Sequence, residues 1–202
     1  DGRSFSTRRV QAYQNGTVLM SMIASFQGIE DGAEHQESID LTGLPDPESL
    51  PTVWEKYGHL ADNGRASWVL NRPFDMRYVD SDIVLSVEKR TRAQRLWLRA
   101  RDTLPDTALL HSAALAFASD YVLMEPVLRR HGVPWATPGL STASLDHAMW
   151  FHRPFRADDW LLYDQETPSG SNARGFAQGS IFTRDGKLAV SVVQEGLIRV
   201  VR

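Results

Sequence analysis

Residues 106–124, DTALLHSAALAFASDYVLM, spread alanine and leucine over almost every face of a helix. Such a helix is expected to be buried on most sides, so something must enclose it. The rest of the chain offers strands for the purpose. FDMRYVD from residue 74 and RAQRLWLRA from residue 92 precede the helix, and segments 144–153, 160–166, 175–184 and 187–201 follow it. All of them read as strands. One enclosed helix and a run of antiparallel strands predict an α+β fold, with an antiparallel sheet wrapped around a central helix. Pro126 is expected to interrupt the helix and to bias Glu125 away from helical geometry.

Two hairpins bracket the chain. SFSTRRVQAYQ and TVLMSMIASFQ flank Asn15-Gly16, and GFAQGSIFTR and KLAVSVVQEGLIRVV flank Asp185-Gly186. Both dipeptides favour a two-residue type I′ turn. At an offset of 170 residues Gly16 matches Gly186 and Ser21 matches Ser191. The pattern reads either as chance similarity between hairpins or as a duplicated fold whose first copy is cut short. Between them, residues 29–51 hold seven acids and three prolines without helix or strand periodicity. A linker or long surface loop is expected there, with a short helix starting after Ser49 and Pro51. Three regions result: residues 1–28, a terminal hairpin; residues 29–73, a linker; and residues 74–202, a complete domain.

Bulk properties remove several function classes. The chain has no cysteine, which excludes disulfides, thiolate catalysis and cysteine-ligated zinc. A net charge of −3 without a basic run argues against non-specific nucleic-acid binding. No apolar run approaches the length of about 18 residues that spans a membrane. The expected address is the cytoplasm.

The segment SLDHAMWFHRPF, residues 144–155, concentrates chemistry-bearing side chains. His147 and His152 are five apart, which on one strand sets them on opposite faces. Asp146 and His152 share a face but would stand about 20 Å apart. No metal site is expected, and no cofactor. A G-x-S-x-G elbow is absent, and SGSNARG at 169–175 lacks the lysine of a phosphate loop. Met149, Trp150, Phe151 and Phe155 are expected in the core.

Two quieter residues are stronger candidates. Asp120 has Ala116 and Phe117 one turn before it and Leu123 and Met124 one turn after. A carboxylate on that apolar surface is costly unless donors meet it, which invites a functional explanation; the plain alternatives are a cap, with Ser119, of a second short helix or a place at a solvated rim. Gln194 interrupts the apolar strand LAVSVVQEGLIRV. Its amide could hold a water or a carbonyl; the plain alternative is a polar residue on an edge strand.

LDHAMWFHRPF, followed by WLLYDQETPSGSNARGFAQGSIFTRDGKLAVSVVQEGLIRV, resembles the C-terminal half of the acyl-CoA thioesterase II family, which are double-hotdog enzymes. DGRSFSTRRVQAYQNGTVLMSMIASFQ resembles the end of that family's first hotdog, and most of that first hotdog has no counterpart here. The resemblance implies a catalytic set of Asp120 in ASDYV, Ser144 in ASLDH and Gln194 in VVQEG. It implies hydrolysis of acyl-CoA to fatty acid and CoA by an activated water, with a backbone N–H near the helix N-terminus as oxyanion donor. Asp146, His147 and the aromatics then belong to the fold signature and pocket wall. Arg153 and Arg174 are candidates for the CoA phosphates. The implied partners are the acyl-CoA substrate and either another copy of the chain or a separate first hotdog. Two other readings stay open: a catalytically silent hotdog that binds acyl-CoA or only assembles, and an enoyl-thioester hydratase or dehydratase. The latter needs a helix-borne histidine beside its acid, and His111 lies off the face of Asp120.

Overall fold

A computed structural model describes residues 2–63 and 67–200. Residues 64–66 of the expected linker and residue 201 of the last expected strand lie outside the described residues. The chain divides into two units between Gln36 and Glu37.

The first unit is the expected hairpin. Strands β1 (Phe5–Gln14) and β2 (Thr17–Gln27) pair antiparallel, from Phe5 opposite Gln27 to Gln14 opposite Thr17. Asn15 and Gly16 both take positive φ, 49° and 80°, as a type I′ turn requires. Val10, Val18, Leu19, Met20, Met22, Ile23 and Phe26 are all exposed on it.

The second unit begins with a segment that lies against its body. Ile39, Leu41, Leu44 and Leu50 pack on Trp97, Trp160, Leu162 and Phe182. Helix α1 (Val53–Tyr57) starts at Thr52, whose hydroxyl accepts from the Glu55 N–H while the Glu55 carboxylate accepts from the Thr52 N–H. This capping box sets the start. Helix α2 (Ser67–Leu70) follows.

A seven-stranded antiparallel sheet forms the body. Its strands are β3 (Phe74–Tyr78), β4 (Ala93–Ala100), β5 (Leu140–Ser144), β6 (Ala148–Phe151), β7 (Leu161–Ser171), β8 (Arg174–Thr183) and β9 (Leu188–Val200). The order is β3-β4-β7-β8-β9-β5, with β6 also on β9. Leu96 and Leu98, Leu161 and Tyr163, and Val190 and Val192 alternate onto one face and bury helix α3 (Ala108–Ser119) at Leu115 and Ala118.

Four expectations need correction. Helix α3 is not buried on most sides: His111, Leu115, Ala118 and Ser119 form one buried stripe, while Leu109 and Phe117 are 68% and 59% exposed. A single sheet covers only one flank of a helix. The helix also ends at Ser119, and Pro126 does not interrupt it. A second helix, α4 (Glu125–His131), holds Pro126 in its first turn, where an amide N–H has no intrahelical acceptor to lose. The turn at Asp185-Gly186 is not type I′. Only Gly186 takes positive φ (83°), and Thr183 pairs with Lys187 across a longer loop. Finally, the expected strand 144–153 is two strands, β5 and β6, both on β9.

That last break is a bulge. Ser144 lies opposite Gly196 and Ala148 opposite Val193, so four steps on one side match three on the other. Leu145 and Asp146 both donate their N–H to Glu195 O, and the Asp146 carboxylate accepts the Glu195 N–H at 2.7 Å. The side chain of Asp146 replaces the backbone acceptor that the bulge removes.

Below α4 lies a buried polar cluster. The Glu125 carboxylate accepts from Tyr78 Oη, Trp135 Nε1 and Gln94 Nε2, and the Gln94 carbonyl accepts from the Arg129 guanidinium. Burial pushes the Glu125 carboxyl above the usual carboxylate range.

Candidate active site

Gln194 sits on β9 two and four residues from Val192 and Val190, so its side chain shares their buried face. The strand is central, with β8 on one side and β5 and β6 on the other, so Gln194 is not an edge residue. It is fully buried at the sheet face that meets the end of α3. Asp120 closes that end of the helix as its C-cap. Ser144 ends β5, opposite Gly196, on the same sheet face as Gln194.

These placements bring the three residues together. Gln194 Nε2 donates to Asp120 Oδ1 at 2.6 Å and to Ser144 Oγ at 2.6 Å. Ser144 Oγ donates to the same Asp120 Oδ1 at 3.1 Å. Asp120 and Ser144 are exposed. The apolar surround expected for Asp120 is therefore not what sets it apart; donors meet the carboxylate, and one side is open.

Asp120 and Ser144 line a cavity of about 420 Å³ with Trp68, Arg72, Tyr121, Met124 and Trp135. The Arg72 guanidinium lies between two rings, 5.2 Å from Trp68 and 4.6 Å from Tyr121, and is almost wholly buried. Trp68 meets Trp135 edge to face at 5.9 Å. None of these wall residues carries a motif that sequence reading could have used.

The remaining candidates sort differently. His147 Nδ1 lies 3.1 Å from Gln194 Oε1, and its Nε2 lies 2.9 Å from Ser119 Oγ. Its contact with the set was not foreseen, because a spacing of three from Ser144 sets the two on opposite faces of a regular strand. Asp146 serves the bulge. Trp150 and Phe151 are about half exposed rather than core, whereas Met149 and Phe155 pack against it. His111 is buried, accepting the Ala157 N–H at 3.1 Å through Nδ1. Arg153 donates to Leu188 O, and Arg174 pairs with Glu195 at 3.1 Å; neither lines the cavity. The N–H groups at the start of α3 stand about 18 Å along the helix from Asp120, too far to serve as its oxyanion donors.

Residues 70–197 match a family described as acyl-CoA thioesterase. The chain is 34% identical to mouse acyl-coenzyme A thioesterase 8, over 98% of this chain and 64% of that protein. It is 32% identical to acyl-CoA thioesterase 2 of Haemophilus influenzae, over 98% of this chain and 70% of the relative. The chain thus spans a little under two thirds of the length of the mouse protein. Among solved structures, an acyl-CoA thioesterase II from Mycobacterium marinum is 41% identical with a TM-score of 0.78, covering 100% of this chain and 71% of that one. A hotdog-fold protein of unknown function from Alicyclobacillus acidocaldarius superposes at 0.74 with 16% identity, covering 100% of this chain and 70% of that one. The expected hotdog architecture is borne out.

Proposed function

The chain belongs to the acyl-CoA thioesterase family, and on that premise we propose that it hydrolyses acyl-CoA thioesters to a free acid and CoA. One observation carries the reading: a carboxylate, a hydroxyl and an amide N–H meet within 3.1 Å at the wall of a cavity that Trp68, Tyr121 and Trp135 also line. In this reading a water sits in the cavity against Asp120 and Ser144, which the Gln194 amide holds together. Asp120 Oδ1 already accepts from Ser144 and Gln194, so Oδ2 is the oxygen that takes the water's proton. The water oxygen attacks the thioester carbonyl carbon. The tetrahedral intermediate then collapses, the C–S bond breaks, and the sulfur takes up the proton held by Asp120. No acyl-enzyme forms. Trp68, Tyr121, Met124 and Trp135 offer the acyl chain its apolar wall.

The same proposal covers the domain plan. The Phe5–Gln27 hairpin is the end of a first hotdog, residues 29–73 connect, and residues 74–202 form the complete C-terminal hotdog. The apolar side chains exposed along both strands of the hairpin support a partner sheet, from another copy or a first hotdog. We place the reaction in the cytoplasm; among the described residues no helix is long and apolar enough to cross a membrane.

Release of free thiol from a panel of short, medium and long acyl-CoAs tests the reading, with Gln194→Ala beside the unmodified protein. Turnover that collapses in the variant is expected. No turnover by the unmodified protein on any acyl-CoA overturns the activity, and an undiminished variant overturns the site.

A further inference from the structure

Gln194 can serve Asp120 and Ser144 only with its amide turned one way. We propose that His147 is the positioning residue that holds it so: Nδ1–H donates to Gln194 Oε1 and thereby commits Nε2 to Asp120 and Ser144. The inference rests on the thioesterase reading above and adds a residue to it.

The hydrogen bonds propagate a polarity. A carboxylate only accepts, so the amide atom 2.6 Å from Asp120 Oδ1 is the nitrogen. Its second hydrogen goes to Ser144 Oγ at 2.6 Å. The carbonyl Oε1 of this fully buried side chain then needs a donor, and His147 Nδ1 is 3.1 Å away. Nδ1 must therefore carry a proton. On the far side, His147 Nε2 meets Ser119 Oγ at 2.9 Å, on the residue before Asp120. The imidazole thus ties the strand that carries Gln194 to the helix end that carries Asp120.

Without His147 the buried Oε1 loses its donor, and only Asp120 and Ser144 hold the amide in its sense. A flipped Gln194 would aim Oε1 at the Asp120 carboxylate, acceptor against acceptor, and would no longer donate to Ser144 Oγ. The bulge is what makes the contact possible. Carried back one residue, the β6 register sets His147 opposite Gln194, while β5 sets Ser144 opposite Gly196 on that same face. The ring itself is exposed, so its packing contributes little to the fold.

Two measurements judge the proposal. In the unmodified protein, ¹⁵N imidazole spectra should show His147 protonated at Nδ1; a ring bare at Nδ1 overturns it. In the free-thiol assay, His147→Ala should lower kcat about 10- to 100-fold with KM within about twofold. His147→Asn, whose amide N–H can take the place of Nδ1–H, should recover most of kcat. The double variant with Gln194→Ala should be no slower than Gln194→Ala alone. Additive losses in the double variant, or an Ala variant as fast as the unmodified protein, overturn the proposal. A protein without acyl-CoA turnover sinks the functional reading alone, and the tautomer then decides this one.

Discussion

Gln194 Nε2 donates to Asp120 Oδ1 at 2.6 Å across 74 residues of chain. The bond fixes a strand-borne amide against a helix-end carboxylate, and it sets the terms for the first two predictions.

Asp120→Asn removes the base and replaces an acceptor with a group that can also donate. The residue is exposed, so the fold should survive. Turnover of acyl-CoA, read as free thiol, should fall by about 10²- to 10⁴-fold, the usual loss when a general base is removed. Activity within tenfold of the unmodified protein would show that another group takes the proton.

Ser144→Thr keeps the hydroxyl at the end of β5, and Ser144→Ala deletes it. The threonine variant should retain most of kcat, and the alanine variant should lose about 10-fold, one hydrogen bond's contribution. Equal rates in all three forms would remove Ser144 from the mechanism.

The turn between β7 and β8 places Asn172 and Ala173 at φ 51° and 59°. Alanine is strained in that left-handed region, and glycine is not. Ala173→Gly should stabilise the protein by about 0.5–1 kcal/mol, read as a higher denaturant midpoint. A lower midpoint would mean that the greater freedom of glycine in the unfolded chain outweighs the relieved strain.

Asp158 accepts from the Arg156 guanidinium at 3.0 Å and from the Leu104 N–H at 2.8 Å, and its carboxyl is held down to about 2. A depressed acid contributes stability that is present above the unfolded carboxylate range and is lost as pH falls through the folded value. Asp158→Asn should therefore lower the denaturant midpoint at neutral pH, and the gap to the unmodified protein should close between about pH 4 and pH 2. A gap unchanged across that window would assign its effect to packing instead.

Ile23 is 74% exposed at the middle of β2. If the hairpin meets a partner sheet, Ile23→Lys should reduce the assembly mass seen by light scattering, since a charge is costly to bury at an apolar contact. An unchanged assembly would place the contact elsewhere.

Local chemistry decided a good part of this protein from the sequence alone. Asn-Gly at 15–16 dictated a type I′ hairpin, because both residues tolerate positive φ. Strand-type composition named β3, β4, β7, β8 and β9, and β8 and β9 bury alternate residues over most of their length. Pro126 was misread for the same local reason: its effect depends on whether it falls inside a helix or in its first turn, and only the break after Ser119 settles that. The candidate site shows the limit most clearly. Asp120 and Gln194 stood out as polar residues in apolar runs, but Ser144 was named only through resemblance, and His147 was left in the wall. Their meeting depends on one extra residue in the strand between them, held by the Asp146 carboxylate on Glu195 N–H. A bulge changes which side chains share a face without changing composition or spacing. Pairing with β9 decided that, and no local pattern encodes it.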